Sequence, residues 1–264
     1  MKAGKERRGS GGGLPNVKQA VVEGKRKAFA EKLWLDAGGE QAASPDAAGI
    51  VLACGGDGSV LKARQAHEGK PLFCVRKSSA CESCSFNNKT LSKPVQCVYA
   101  KNPFYCHSSA KPCFQSFFAG RFALRKEPLA RATLPDGRTF KGLNEIQVRS
   151  STHLHAARFS VFVDGKAVAE RVIGDGVVAA TPYGAGAYYK AVGGKHFKNG
   201  LGLAFNNCMQ RLRNRVLKPS SVVAVKAERN CVVLADNDDE VFHLAAGERV
   251  SIKLSGFAEF VELR

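Results

Sequence analysis

The sequence predicts a small α/β domain followed by a β-rich domain, and three observations lead to it. The apolar run Ile50 to Cys54 discharges into Gly55, Gly56, Asp57, Gly58 and Ser59 before an amphipathic segment begins, which reads as strand, glycine turn and helix start. From Phe117 onward the pattern changes to alternating runs separated by strong turn signals, Pro135-Asp136-Gly137 and Asp164-Gly165 among them. The chain has 264 residues, long enough for one large domain or two smaller ones, and 44% are apolar, enough to fill a core. The expected division is a flexible leader over 1–15, an α/β domain over 16–116 and a β-rich domain over 117–264.

In order along the α/β part, Val17, Ala20, Val21, Ala28 and Leu33 predict a helix over Asn16 to Leu35, broken or loosened near Gly24. Gly38 to Gly49 is rich in Ala, Ser, Pro and Gly and reads as a loop. After the glycine turn, Val60 to Glu68 suits a helix ended by Gly69 and Pro71, and Leu72 to Val75 a second strand. In the β-rich part, hairpins are expected from Phe122 to Thr133 with Arg138 to Arg149, and from His155 to Val163 with Lys166 to Ile173. Val222 to Ala227, Cys231 to Leu234, Val241 to Leu244 and Val250 to Leu254 extend the antiparallel meander.

Between these parts, Arg76 to Lys111 holds neither period for long. Cys81 and Cys84 form a CxxC pair, followed by Cys97, Cys106, His107 and Cys113. A structural zinc site needs four soft ligands meeting tetrahedrally, and the second close pair is missing, so buried or loop thiols are expected. His153 and His155 are spaced to share one face of a strand, without an evident third ligand; surface histidines are expected.

Composition excludes several classes. No apolar run approaches the ~20 residues that span a bilayer, so no membrane partner is expected. The stretch MKAGKERRGSGGG lacks the apolar region of a signal peptide, and with nine cysteines in odd count this predicts reduced thiols in the cytoplasm. A net charge of +17 favours polyanionic partners, but Lys and Arg are scattered, with no run beyond Lys25, Arg26 and Lys27, and nucleic-acid binding is not expected.

Four patches look chemical. Gly55, Gly56, Gly58 and Ser59 suit a phosphate cradle, because glycine lets main-chain N–H groups approach an anion and the following helix adds unpaired donors. Asp57 stands out there: a carboxylate repels phosphate unless it binds a metal or takes a proton, or it simply caps the helix. Asn144 and Glu145, where a strand emerges, can grip a ribose or base edge, or form a bare turn. Gly174 to Gly194, dense in glycine and alanine around Thr181 and Pro182, allows main chain to lie against a flat ligand or a neighbouring chain, with a helix beginning near Gly184 to Ala187. Asp236, Asp238 and Asp239 read most simply as a solvated hairpin turn.

Taken in order and spacing, GGDGS at Gly55, LNE at Leu143, DG at Asp175, TPxGxxAY from Thr181 to Tyr188, the closing GG at Gly193 and the late Asp236 resemble the NAD kinase family, including its divergent archaeal-type members. The resemblance covers nearly everything from Gly49 to the C-terminus. It implies a small Rossmann-like α/β domain, a C-terminal β-sandwich and a site in the crevice between them. It also implies transfer of the terminal phosphoryl group of ATP or polyphosphate to the 2′-hydroxyl of the adenosine ribose of NAD, in a homo-oligomer, dimer or tetramer.

On that resemblance Asp57 would accept the hydroxyl proton or hold Mg²⁺ or another divalent cation, and the glycines and Ser59 would hold phosphate. Asn144, Glu145, Asp175, Thr181, Gly184, Ala187, Tyr188 and Asp236 would bind NAD, with Asp175 reaching the dinucleotide from its own or a neighbouring subunit. The sequence departs from the family's TPTGSTAYSLSAGG at Tyr183, Ala185, Gly186 and Ala191, and puts Val75 to Cys84, with Arg76 and Lys77, where a glycine-rich stretch is usual. Two rivals remain: a kinase of another hydroxyl acceptor, lipid or sugar, and a non-catalytic nucleotide- or nucleic-acid-binding protein. Joint retention of Asp57, Asn144, Glu145 and Asp175 argues against the second.

Overall fold

A computed structural model describes residues 16–98 and 103–264; the expected leader over 1–15 lies outside the described residues. The chain forms two compact units, one running to Arg125 and including Glu259–Arg264, the other Lys126–Ala258. Residues 117–125 and the last six therefore belong with the first unit, whereas the sequence pattern assigned all of 117–264 to the second.

The first unit is a parallel sheet with helices. Its strands are β1 (Gln19–Glu23), β2 (Glu40–Gln41), β3 (Ile50–Gly55), β4 (Leu72–Arg76) and β5 (Phe104–Cys106), and its helices are α1 (Lys27–Asp36), α2 (Asp57–Ala66) and α3 (Ala110–Phe118). The order β2–β1–β3–β4–β5 is parallel at every pairing. Every residue of β3 is buried, as its unbroken apolar run requires of a strand with neighbours on both sides and helices over the sheet.

The helix expected over Asn16 to Leu35 exists only in its second half. Gln19–Glu23 is a strand, because Ala20 and Val22 alternate inward and β3 offers it a ladder from Ala20 to Glu23. Gly24, at φ +113°, ends it where any Cβ would overlap the carbonyl of Cys54, and α1 begins three residues later. Trp34 of α1 donates from Nε1 to the carbonyls of Lys18 and Glu40 and meets Phe114 edge-on at 5.0 Å. Helix α3 was not expected from sequence, although Cys113, Phe114 and Phe117 are all buried at helical spacing. Its Pro112 lies in the first turn, where no intrahelical N–H is lost.

The second unit is a β-sandwich. One sheet takes β9 (Ala157–Val163), β10 (Lys166–Gly174), β14 (Val223–Ala227) and the first part of β17 (Arg249–Leu263), with β6 (Phe122–Thr133) and β7 (Thr139–Gly142) beside it. The other is fully antiparallel in the order β13–β12–β11–β8–β15–β16. In chain order these are β8 (Glu145–Ser150), β11 (Gly176–Ala180), β12 (Leu201–Asn206), β13 (Arg215–Leu217), β15 (Cys231–Ala235) and β16 (Val241–Leu244). Ile146 and Val148 of β8, Val233 of β15, Phe159 and Val161 of β9 and Val225 of β14 share its buried core. On the outer face of the antiparallel sheet, a four-residue helix α4 (Tyr188–Ala191) puts Tyr189 against Val178, Ala180 and Ala204.

Three expectations are corrected. The single run Arg138 to Arg149 is two strands, broken at Leu143 and Asn144, and that break is where the site residues sit. His153 and His155 lie in the loop between β8 and β9, not on one face of a strand, because the ladder of β9 starts only at Ala157. Strand β17 runs on to Leu263, where Phe260 pairs with Leu72 and the Tyr105 hydroxyl accepts the N–H of Leu263 at 2.6 Å.

Candidate active site

In the first unit the glycine turn connects β3 to α2 as its sequence pattern predicts. Gly55 has φ +150°, and a Cβ there would overlap the Ser59 hydroxyl, so the turn closes only on glycine. Gly56 is the N-cap of α2 and accepts the N–H of Ser59 at 3.0 Å. Asp57 occupies the first turn of α2 without capping it. Its Oδ2 instead accepts a hydrogen bond from Arg76 Nη1 at 3.1 Å, with 64% of the Asp57 side chain exposed against 12% for Arg76.

Register explains that meeting. Gly55 and Arg76 are direct partners on the parallel strands β3 and β4, and the N–H of Lys77 donates to the Gly55 carbonyl at 3.3 Å. Around them, the Lys77 ammonium lies 4.1 Å from the centre of the Phe29 ring, and the Arg76 guanidinium 5.5 Å from that of Phe104. The crowded carboxyl ends of β3 and β4 thus carry positive charge around one exposed carboxylate, at the end of a parallel sheet where ligands ordinarily bind. Burial pushes the thiol of Cys54, the residue before the turn, up to about 12, which makes it inert. Among the described residues, no three His, Cys, Asp or Glu side chains gather as a metal cluster.

In the second unit, Asn144, Glu145, Thr181, Gly184 and Asp236 converge on the break between β7 and β8. Asp236 is buried, not solvated, because its carboxylate accepts the main-chain N–H groups of Leu143, Asn144 and Glu145 at 2.7, 2.7 and 3.1 Å. Thr181 donates its hydroxyl to the Leu143 carbonyl and accepts the N–H of Gly184 at 3.0 Å, while its own N–H reaches the Asn144 carbonyl at 2.8 Å. Gly184 lies so close that a Cβ would overlap the Asn144 carbonyl. Ala187 closes the following turn by donating to Gly184 O at 2.8 Å, and Tyr188 Oη accepts from Asn206 Nδ2 at 2.9 Å.

Glu145 is 4% exposed and titrates near 7, raised first by burial and then by the charge of Asp236, against the hydrogen bond that Gln147 Nε2 gives its Oε1 at 3.2 Å. Glu145 Oε2 and Gln147 Oε1 have no partner among the described residues. A group that brings N–H or O–H donors would complete the hydrogen bonding of both. Sequence reasoning missed Gln147, although a polar residue two positions from Glu145 in a strand must share its face.

Asp175 is not with this group. Gly176 pairs with Arg149 and Ala180 with Glu145, which puts Asp175 at the other end of the ladder, about 16 Å away at the rise of a strand. There it accepts from Asn207 Nδ2 at 3.0 Å and borders a cavity of about 450 Å³ lined by Arg149, the Ser150–Ala156 loop, Val232 and Leu234.

Residues 143–262 match the family model of the ATP-NAD kinase C-terminal domain. Over these residues the chain is similar to the C-terminal domain of ATP-NAD kinases. Relatives include NAD kinase 2 of Bacillus licheniformis, 30% identical over 147 residues, covering 56% of this chain and 49% of that protein. The NAD kinase of Aquifex aeolicus is 34% identical over 121 residues, covering 44% of each. A bifunctional NADP phosphatase/NAD kinase of Methanococcus maripaludis is 26% identical over 151 residues, covering 54% of this chain and 23% of that one. The chain therefore spans about half the length of the two bacterial NAD kinases in these matches and under a quarter of the Methanococcus protein.

NAD kinase structures share the fold across both units. That of Archaeoglobus fulgidus, solved in complex with ATP, has a TM-score of 0.70 at 18% identity, covering 93% of this chain and 94% of its own. Yeast NADH kinase, solved with NADH, has a TM-score of 0.65 at 18% identity, covering 81% and 62%. The break at Leu143, where the family match begins, is the turn that Asp236 and Thr181 hold.

Proposed function

We propose that this chain is an NAD kinase-like phosphotransferase that moves the terminal phosphoryl group of ATP to the 2′-hydroxyl of the adenosine ribose of NAD, giving NADP. One observation carries the reading. A chain that matches the ATP-NAD kinase C-terminal domain over 143–262 also presents, outside that match, an exposed Asp57 carboxylate on a glycine turn at the start of a helix.

The first unit supplies the donor's seat, the glycine turn of Gly55 and Gly56 at the start of α2. Asp57 takes the proton of the attacking hydroxyl as the new O–P bond forms and the bond to the β-phosphate oxygen breaks, releasing ADP. Mg²⁺, which binds through one or two carboxylates plus substrate phosphates, fits the exposed Asp57 carboxylate and would neutralise phosphate charge. In the second unit, Asn144, Glu145 and Tyr188 hold the acceptor, with the unpartnered Glu145 Oε2 and Gln147 Oε1 taking its donors. Asp236, Thr181 and Gly184 act through the turn that they shape. The distance of Asp175 from Glu145 suits a homo-oligomer in which Asp175 serves a neighbouring subunit's dinucleotide.

The test is NADP formation by the purified protein with Mg²⁺, NAD and ATP, or polyphosphate in a parallel arm, read with an NADP-specific dehydrogenase. Wild-type turnover that disappears in folded Asp57→Asn supports the reading. No NADP from folded wild-type protein with either donor refutes it.

A further inference from the structure

Arg76 is held more firmly than a charge-balancing arginine needs. Its carbonyl accepts from His107 Nδ1 at 3.2 Å and lies 3.9 Å from the Cys81 thiol, so the Cys-rich segment pins the main chain that carries it. Its guanidinium lies against Phe104 and is almost wholly enclosed, yet Nη1 emerges onto the exposed carboxylate of Asp57. Nε has no partner among the described residues. A guanidinium offers five donors in a fixed planar fork, and one Asp57 oxygen within reach uses few of them. The guanidinium sits beside the glycine turn, because Arg76 is the ladder partner of Gly55 and reaches Asp57 two residues on.

We propose that Arg76 is a catalytic residue that contacts the transferred phosphoryl group, and that the Asp57–Arg76 pair is the resting form of this device. The inference rests on the phosphotransferase reading above. On donor binding the fork turns part of its donors from Asp57 to the equatorial oxygens of the terminal phosphate, where charge spreads during transfer. The 2′-oxygen–phosphorus bond forms, the bond from phosphorus to the bridging oxygen breaks with its electron pair leaving on ADP, and the hydroxyl proton passes to Asp57. Arg76 exchanges no proton. It holds Asp57 aimed before the donor arrives and stabilises the phosphoryl charge afterwards, two tasks that one point charge on a lysine stem does not combine.

The experiment compares Arg76→Ala, Arg76→Lys and wild type, each checked for folding by circular dichroism and thermal unfolding. Expected are a kcat on the order of 100-fold lower in Arg76→Ala, with the KM for NAD little changed, and little recovery in Arg76→Lys. Millimolar guanidinium restores a measurable part of the turnover of Arg76→Ala and does nothing for Asp57→Asn. Turnover of Arg76→Ala within a few-fold of wild type, or a folded Arg76→Ala that guanidinium leaves unchanged, overturns the proposal. Binding of inorganic tripolyphosphate, measured by calorimetry on the same proteins, separates the two readings. A roughly tenfold weaker Kd in Arg76→Ala supports the phosphate contact even where wild type makes no NADP, an outcome that removes only the activity. An equal Kd removes the contact.

Discussion

Asp236 Oδ1 accepts the main-chain N–H of Asn144 at 2.7 Å, and this bond joins two segments 92 residues apart in sequence. The same carboxylate serves Leu143 and Glu145, so three consecutive N–H groups share one acceptor pair. In Asp236→Asn, one oxygen becomes an NH₂ that faces N–H groups, leaving donors buried without acceptors. Each such loss costs about 1–3 kcal/mol, more for a charged partner. Chemical denaturation should show Asp236→Asn less stable by about 3 kcal/mol; a change below 1 kcal/mol would mean that the turn holds without it.

The raised titration of Glu145 makes a pH-dependent stability. In the folded chain it takes up its proton near 7, against 4.5 for an unperturbed glutamate. Between these values the folded state binds the proton and the unfolded state does not, so stability is fully present below about 4.5 and is lost as pH rises through 7. The full swing is about 3 kcal/mol at 1.36 kcal/mol per pH unit. Glu145→Gln removes the charge and keeps the shape. It should be more stable than wild type at pH 8, with the gap closing by pH 5; parallel stability profiles across that range would show that Glu145 does not titrate there.

Gln147 sets where that transition falls. Its Nε2 donates to Glu145 Oε1 and so favours the ionised carboxylate. Gln147→Met keeps the volume and removes the donor, and the Glu145 transition should move to higher pH. Isotope-edited NMR of the carboxyl group follows this directly, and a transition that stays in place or moves down would show that the amide does not act on Glu145.

These residues also show what local pattern reveals. The strand, glycine turn and helix at Ile50 to Ala66 were legible because each signal lies within a few residues of the next. Strand β1 was not, because Gln19–Glu23 becomes a strand through its ladder with β3, some thirty residues on, and three apolar positions fit either period. Asp236 looked like surface since acidic residues crowd hairpins; only its distant partners make it a buried clamp. Arg76 was visible as a departure in sequence, but its meeting with Asp57 depends on the register of β3 with β4.

Two glycines with different reasons for being glycine separate fold from ligand. At Gly184 a methyl group would meet the Asn144 main chain, which cannot step aside without breaking the bonds to Asp236 and Thr181. Gly184→Ala should cost about 2 kcal/mol of stability, as overpacking against a fixed main chain does. At Gly56 nothing lies within 4 Å of a Cβ, and φ −101°, ψ −171° is open to any residue, so Gly56→Ala should lose only the difference between glycine and alanine at an N-cap, about 1 kcal/mol or less. An alanine methyl at the start of α2 would then crowd only what approaches the N–H groups there. Tripolyphosphate affinity lowered several-fold in folded Gly56→Ala, with at most this small loss of stability, is the expected result of a phosphate seat at this turn. Unchanged affinity would place the phosphates elsewhere.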